Sequence, residues 1–300
     1  MADPTFTVEH HGRNSHVVRV TVPSPSSEWE WRCLLRGDAH HDNPHANHDV
    51  ERAALELCLA NGWAWLDVGD LFCAMGGVGD RRATKGHSVR PECDRADYLQ
   101  ALAAYCGDFY APYIAHCVTI AHGNHETSVL KHKEVDLLEL MAGYVRAKVG
   151  RTFQPGGYTG FVRFALDSND NRSGFTLAYD HGRGGGAFMS FGTLDIRRWH
   201  SYVAADVYVS GHIHRKWLHE TMRTRQSTSG GVYAVRSDPV YTVCVPTTKD
   251  EYGDGYGGFG VEKMRDPRPT GAWWMKVRLR PDRYRKCMVP DLYFERARDF

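Results

Sequence analysis

The sequence has little that would place it outside a reducing compartment. Its 8 cysteines are scattered, and no two of them form a Cys-x-x-Cys pair. That argues against a zinc ribbon or a disulfide scaffold and favours a cytoplasmic protein. No apolar run approaches the ~18 residues that a membrane helix needs, so no membrane partner is expected. Met1 to His16 is polar and lacks an apolar signal core. There is no Ser or Cys nucleophile elbow, no internal repeat and no convincing linker, so residues 1–300 are read as a single domain. Charge of one sign is also missing: the net value is +1, and the whole-chain balance implies no partner. The imbalance is local. Val261 to Phe300 carries eleven Lys/Arg against six Asp/Glu, which leaves 26 against 30 for the first 260 residues. Such a basic tail can lie along nucleic-acid phosphates, although it is more often solvated surface.

The 42% hydrophobic and 24% charged fractions are ordinary for a soluble globular chain, and 300 residues can bury a sizeable core. The 17 histidines are many, and several fall at the ends of expected strands. Val17 to Val22, Trp31 to Leu35, Trp63 to Val68 and Cys117 to Ile120 read as strands. Asp49 can cap a helix that Asn61-Gly62 stops. This alternation predicts βαβ units and a largely parallel sheet. Residues 71–93 break the rhythm with Gly, Arg and Lys. A loop of that length leaving a strand end reads as a lid or a substrate-contacting segment. Asp94 to Gly107 reads as a helix, and Ser128 to Val149 as the longest one. Tyr158 to Leu166 pairs with Gly174 to Tyr179, Thr193 to His200 is a short helix, and Val207 to Val209 is a strand. Residues 217–300 are strand-rich, with Trp217 to Met222, Tyr241 to Val245 and Trp273 to Leu279.

Five short motifs sit at strand ends, where open α/β sheets place their chemistry. They are Asp38-Ala39-His40, Gly69-Asp70, Gly123-Asn124-His125-Glu126, Asp180-His181 and Gly211-His212-Ile213-His214. Asp-x-His and Gly-Asp are weak signals alone, whereas Gly-Asn-His-Glu and Gly-His-x-His are moderately specific. In this order they resemble the calcineurin-like metallophosphoesterase superfamily, over a motif core of residues 31–216. Cys73-Ala74-Met75, Gly123 to Val129 and Tyr252 to Trp274 look like compact members found in bacteriophage and bacterial genomes.

The resemblance implies an α/β fold, a four-layer α/β/β/α sandwich of two mixed sheets flanked by helices. It implies two divalent metal ions. Asp38, His40 and His214 would hold one, Asn124, His181 and His212 the other, and Asp70 would bridge them. Mixed His/Asp/Asn donors suit Mn, Fe, Zn or Ni. A bridging hydroxide would attack phosphorus, and His125, the motif histidine without a metal, would serve the leaving group. Asp70 and His125 are thus the expected catalytic residues. Arg81, Arg82, Lys85 and Arg183 are candidate substrate clamps. Many family members carry a carboxylate three residues after the Gly-Asp aspartate, and it orients the imidazole corresponding to His125. Here that position is Cys73: either another acid, Asp42 or Glu126, replaces it, or His125 is a weaker acid catalyst. The missing acid favours a phosphodiesterase or nuclease-type hydrolase, acting on nucleic acid or a nucleotide, over a phosphomonoesterase. A non-catalytic scaffold is the third alternative. His41, His45 and His48 are expected in loops or at the surface, His122 behind the site or at the surface, and His10, His11 and His16 in a mobile or edge N-terminus.

Overall fold

Two mixed β-sheets lie face to face in a computed structural model that describes residues 3–76, 89–168, 172–184, 192–229, 232–250, 252, 266–282 and 287–297. The strands, in chain order, are β1 (Phe6–His10), β2 (Ser15–Thr21), β3 (Glu30–Arg36), β4 (Ala64–Asp67), β5 (Cys117–Ala121), β6 (Pro155–Gly156), β7 (Thr159–Asp167), β8 (Arg172–Asp180), β9 (Val207–Ser210), β10 (Trp217–Ser229), β11 (Val232–Cys244), β12 (Ala272–Asp282) and β13 (Cys287–Ala297). The helices are α1 (His48–Asn61), α2 (Tyr98–Tyr110), α3 (Asn124–Lys133), α4 (Leu137–Val149) and α5 (Thr193–Trp199), with a 3-10 turn at Ala111–His116. One sheet runs β1-β2-β7-β8-β9-β11-β10 and the other β13-β12-β3-β4-β5-β6.

The layers follow from which faces are apolar. In β2 and β7 buried and exposed residues alternate, so only one face of each is covered. β4, β5 and β9 are buried throughout, as expected of central strands in parallel pairings. Val18, Val20, Phe164 and Leu177 from one sheet meet Cys33, Leu35, Leu66 and Met275 from the other in a core between the sheets. A second core, with Leu34, Trp65, Ile120, Leu55, Leu102 and Met141, seals α1, α2 and α4 onto the outer face of the six-stranded sheet. Trp199 and Ala205 do the same with Tyr208 and Val240 of the seven-stranded sheet, next to α5. The result is the expected four-layer α/β/β/α sandwich. Each fully buried large apolar side chain, such as Leu35 or Phe164, contributes roughly 1.5–3 kcal/mol relative to exposure.

Several elements depart from the sequence reading, each for a local reason. The sheets are mixed rather than largely parallel: β12 adds antiparallel to β3 and β13 to β12 in one, and β1–β2, β7–β8 and β10–β11 are antiparallel in the other. The N-cap of α1 is Asn47, whose side chain accepts from the Asp49 and Val50 amides, while Asp49 lies in the first turn; Gly62, at φ 70°, ends the helix as expected. The long helix expected from Ser128 is two helices. Glu134 takes a left-handed conformation (φ 57°), and Asp136 caps a fresh start by accepting from the Glu139 amide. With 14 residues, α1 is therefore longer than either α3 or α4. β10 and β11 run far beyond the stretches expected, since they pair in register from Trp217↔Cys244 to Ser229↔Val232, with Tyr233 and Val235 of the distal part exposed. His10 does lie on an edge strand, but His16 is buried opposite it. Leu71, Phe72 and Cys73, expected to open a lid, are core residues; residues 77–88 lie outside the described part.

Candidate metal centre

Each of the five motifs follows the carboxyl end of a strand. Asp38 and His40 follow β3, Asp70 follows β4, and Asn124 and His125 open α3 after β5. These strands are neighbours in the six-stranded sheet, and β8 and β9, which deliver His181, His212 and His214, are neighbours in the other. Face-to-face sheets therefore bring the five loops to one edge. Asp38, His40, Asp70 and His181 form a buried floor. Asn124, His125, His212 and His214 are half-buried and form the rim.

The side chains fall into two groups. Nε2 of His40 lies 3.1 Å from Nε2 of His214, which lies 3.5 Å from Oδ1 of Asp38. Nε2 of His181 lies 3.1 Å from Oδ2 of Asp70 and 3.1 Å from Oδ1 of Asn124, with the His212 ring 5.3 Å from that of His181. Within the triads Asp38/His40/His214 and Asp70/His181/His212, donor atoms lie within 4.8 Å of one another. All seven expected ligands are thus brought together. His125 joins them, its Nε2 3.8 Å from Oδ2 of Asp70 and its ring 4.9 Å from that of His40.

Backbone strain gathers at the same place. Seven non-glycine residues have positive φ among the described residues, and five are Asp38 (52°), His40 (45°), Asp70 (53°), His212 (69°) and His214 (53°). Such conformations cost on the order of 1–3 kcal/mol each and persist where surrounding structure imposes them. The motif glycines serve close packing. A Cβ at Gly123 would collide with the Asp70 carboxylate and amide, and one at Gly211 would lie 2.5 Å from Oδ2 of Asp38. A Cβ at Gly69, itself at φ 111°, would meet the Gly123 backbone at 2.7 Å.

Surrounding groups set the orientation of these side chains. Nδ1 of His181 donates to the Val68 carbonyl at 3.0 Å, so Nε2 is the nitrogen that faces the Asp70 and Asn124 oxygens and would bind a cation once its proton is displaced. The Asp38 carboxylate accepts from the His212 amide at 2.8 and 3.0 Å. Thr247 and Thr248, far away in sequence, donate their hydroxyls to the carbonyls of Asp38 and Ala39.

The expected substitutes for the acid missing at Cys73 do not orient His125. The Cys73 main-chain carbonyl takes that place, accepting from Nδ1 of His125. Asp42 binds the amides of Cys73 and Ala74 and the Tyr98 hydroxyl. Glu126 accepts from the amides of Asp70, Phe72 and Gly123. Both acids therefore hold the loop rather than the imidazole. No sequence pattern signals that a carbonyl can substitute for a carboxylate.

Other histidines were misplaced by sequence. His41 is buried, with Nδ1 2.9 Å from Glu51, and it stacks on His48 at 3.8 Å. Glu51 also binds Arg36, which in turn sits 3.0 Å from Asp67. His45 is exposed, as expected. His122 lies behind the site, 3.0 Å from Asp136. Arg183 is exposed and 3.6 Å from Asp180. Arg81, Arg82 and Lys85 lie outside the described residues. Lys249, which the sequence reading passed over, is buried and acts electrostatically on His40 and Cys73.

Burial opposes charge throughout the cluster. His40 is held well below its usual range by burial and by the neighbouring His125 and His214. Burial also lowers His212, with His181 adding to the shift. Burial alone would lower His181 and raise Asp70, but their mutual attraction outweighs it. His181 is raised to about 10 and Asp70 falls well below the carboxylate range. The donor set of two carboxylates, one amide oxygen and four imidazoles is compatible with first-row divalent cations. Nδ1 of His40 is buried without a hydrogen-bond partner, and burial disfavours protonation there. The residues present fit a metal centre.

No family model matches the sequence, and no curated protein matches it. Among solved structures, a conserved uncharacterized protein from Streptococcus pneumoniae, described as a predicted phosphoesterase, is 9% identical with a TM-score of 0.30, over 89% of this chain and 99% of that one. A metallophosphoesterase from Sphaerobacter thermophilus is 11% identical with a TM-score of 0.32, over 89% and 87%. GAP50, the anchor in the inner membrane complex of Plasmodium, is 9% identical with a TM-score of 0.35, over 89% and 88%. All three are remote likenesses.

Proposed function

We propose that this chain is a metal-dependent phosphoester hydrolase of the calcineurin-like kind, and that it cleaves a phosphodiester in nucleic acid or a nucleotide. The observation that carries the reading is the convergence of seven donor side chains from five separate strand ends into two adjoining groups. Asp38, His40 and His214 would hold one cation, and Asn124, His181 and His212 the other. The Asp70 carboxylate, which acts electrostatically on His181 of one group and His40 of the other, would be shared. Mn, Fe, Zn and Ni all suit these donors. When bound, two such cations activate water and offset charge on the phosphoryl oxygens.

The protein's own part is positional. Val68 holds His181 in one tautomer, and the Asp38–His212 contact locks two motifs together. With Nδ1 engaged by the Cys73 carbonyl, His125 presents Nε2 to the site. That atom would carry a proton to the leaving oxygen. A carbonyl stabilises an imidazolium less than a carboxylate does, and the missing carboxylate–imidazole pair supports the diester reading over the monoester one. Arg183, with Arg81, Arg82 and Lys85 from the basic loop, would contact substrate phosphates.

The test is hydrolysis with Mn²⁺ of bis-para-nitrophenyl phosphate, para-nitrophenyl phosphate and single- and double-stranded DNA. Diester cleavage that falls more than ~100-fold in Asp70→Ala is expected. Monoester turnover alone would select a phosphomonoesterase, and inactivity with every metal would select a scaffold.

A further inference from the structure

Cys73 sits where its thiol is useless to the reaction proposed above, yet it is surrounded by donors. Its side chain is fully buried, touched by the Asn43 amide at 3.6 Å. A nitrogen of His40, a nitrogen of His125 and the Cys73 sulfur lie within 4.8 Å of one another. The His40 and His125 rings meet edge to face at 4.9 Å. His40 uses Nε2 toward His214, and its buried Nδ1 has no hydrogen-bond partner. So this cluster has a sulfur and two imidazoles, and one of those imidazoles carries a buried nitrogen without a hydrogen-bond partner.

We propose that His40, Cys73 and His125 form a second, thiol-bearing cation site that captures soft divalent ions such as Cd²⁺ or Zn²⁺. The donors decide the class of ion. One sulfur with two imidazole nitrogens selects soft or borderline cations and offers nothing to Mg²⁺ or Mn²⁺. A tetrahedral site has S···N edges of about 3.5 Å, to be compared with the 4.8 Å within which the three donors lie here. Capture balances as the thiol giving up its proton to solvent while the thiolate bonds to the cation. The ion brings its own charge to offset the burial that otherwise keeps the sulfur protonated. His40 is shared with the Asp38/His40/His214 group, so a soft ion here competes with that group for one imidazole. It also takes His125 out of use. If the hydrolase reading holds, soft metals inhibit through Cys73.

The experiment is a Cd²⁺ titration of the full chain in excess Mn²⁺, which gives no thiolate signal. A thiolate-to-metal charge-transfer band in the ultraviolet should rise and saturate. It should vanish in Cys73→Ser and require ~10-fold more Cd²⁺ in His125→Ala. Circular dichroism checks folding, and His125→Ala decides if Cys73→Ser does not fold. Asp70→Asn should keep the band, since Asp70 is not a donor. No band in the wild type, or an undiminished band in the folded variants, overturns the site. A band in a chain that hydrolyses nothing leaves the site standing and sinks the hydrolase reading. In an active chain, Cd²⁺ inhibition scaled to each variant's own rate should weaken ~10-fold in Cys73→Ser.

Discussion

Gly123 shows how little freedom single residues have at the centre. Its Cα faces the Asp70 carboxylate so closely that any Cβ must displace it. Gly123→Ala should therefore push Asp70 away from His181 and cost about 1–3 kcal/mol of stability through overpacking. A lowered Tm, together with loss of Mn²⁺ affinity by calorimetry, would bear this out; wild-type affinity would mean that Asp70 is no ligand. At this scale the sequence was most legible. Asp38, His40, Asp70, Asn124, His181, His212 and His214, the candidate donors that converge here, were all named from motifs, because donor chemistry belongs to particular side chains. What holds them was hidden. The Val68 and Cys73 carbonyls belong to no residue type, and main-chain acceptors leave no trace in the sequence. His41 misled for a related reason. Its burial depends on Glu51 and the ring of His48, neither of which is evident before the chain folds.

The break between α3 and α4 shows the same limit in an element. The sequence reads Ser128 to Val149 as one helix, whereas Asp136 separates α3 from α4 by capping α4 and holding His122. Burial would raise the Asp136 carboxyl, but the hydrogen bond from His122 outweighs it and holds the group down to about 2, below its ordinary 3.8. A depressed carboxyl stabilises the fold above its unfolded value and loses that contribution as pH falls through the folded one. Between pH 4 and pH 2 the wild type should lose on the order of 1 kcal/mol from this group, discounted for its partial exposure. Asp136→Asn keeps an N-cap residue but not the charge, so it should be less stable at pH 5 and show a flatter acid limb. Urea titrations at pH 5, 4, 3 and 2 measure this; parallel curves for the two proteins would refute it. The β10–β11 hairpin erred in the other direction, since cross-strand pairing extended strands that composition read as ending at Met222.

Across the whole molecule, metal binding should be coupled to folding, because the donors come from loops in both sheets and no unfolded chain holds them together. Mn²⁺ at 100 times its Kd should add about 2.7 kcal/mol. That is a rise of several degrees in Tm for a chain of this size, reversed by a chelator and absent in Asp70→Ala. A Tm indifferent to Mn²⁺ in the wild type would remove the metal centre from the proposal. Thr247→Val tests how far the coupling reaches. It deletes a hydroxyl bonded to the Asp38 carbonyl from 209 residues away and should cost about 1 kcal/mol, with weaker metal binding. The strand ends and the candidate donors placed at them could be read from sequence, since periodicity and donor chemistry are local properties written in adjacent residues. The pairing of the two sheets, the buried Arg36–Glu51–His41 network, the carbonyl behind His125 and the thiol beside it were decided only by tertiary structure. Those contacts join residues distant in the chain, and a linear sequence carries no term for their separation in space.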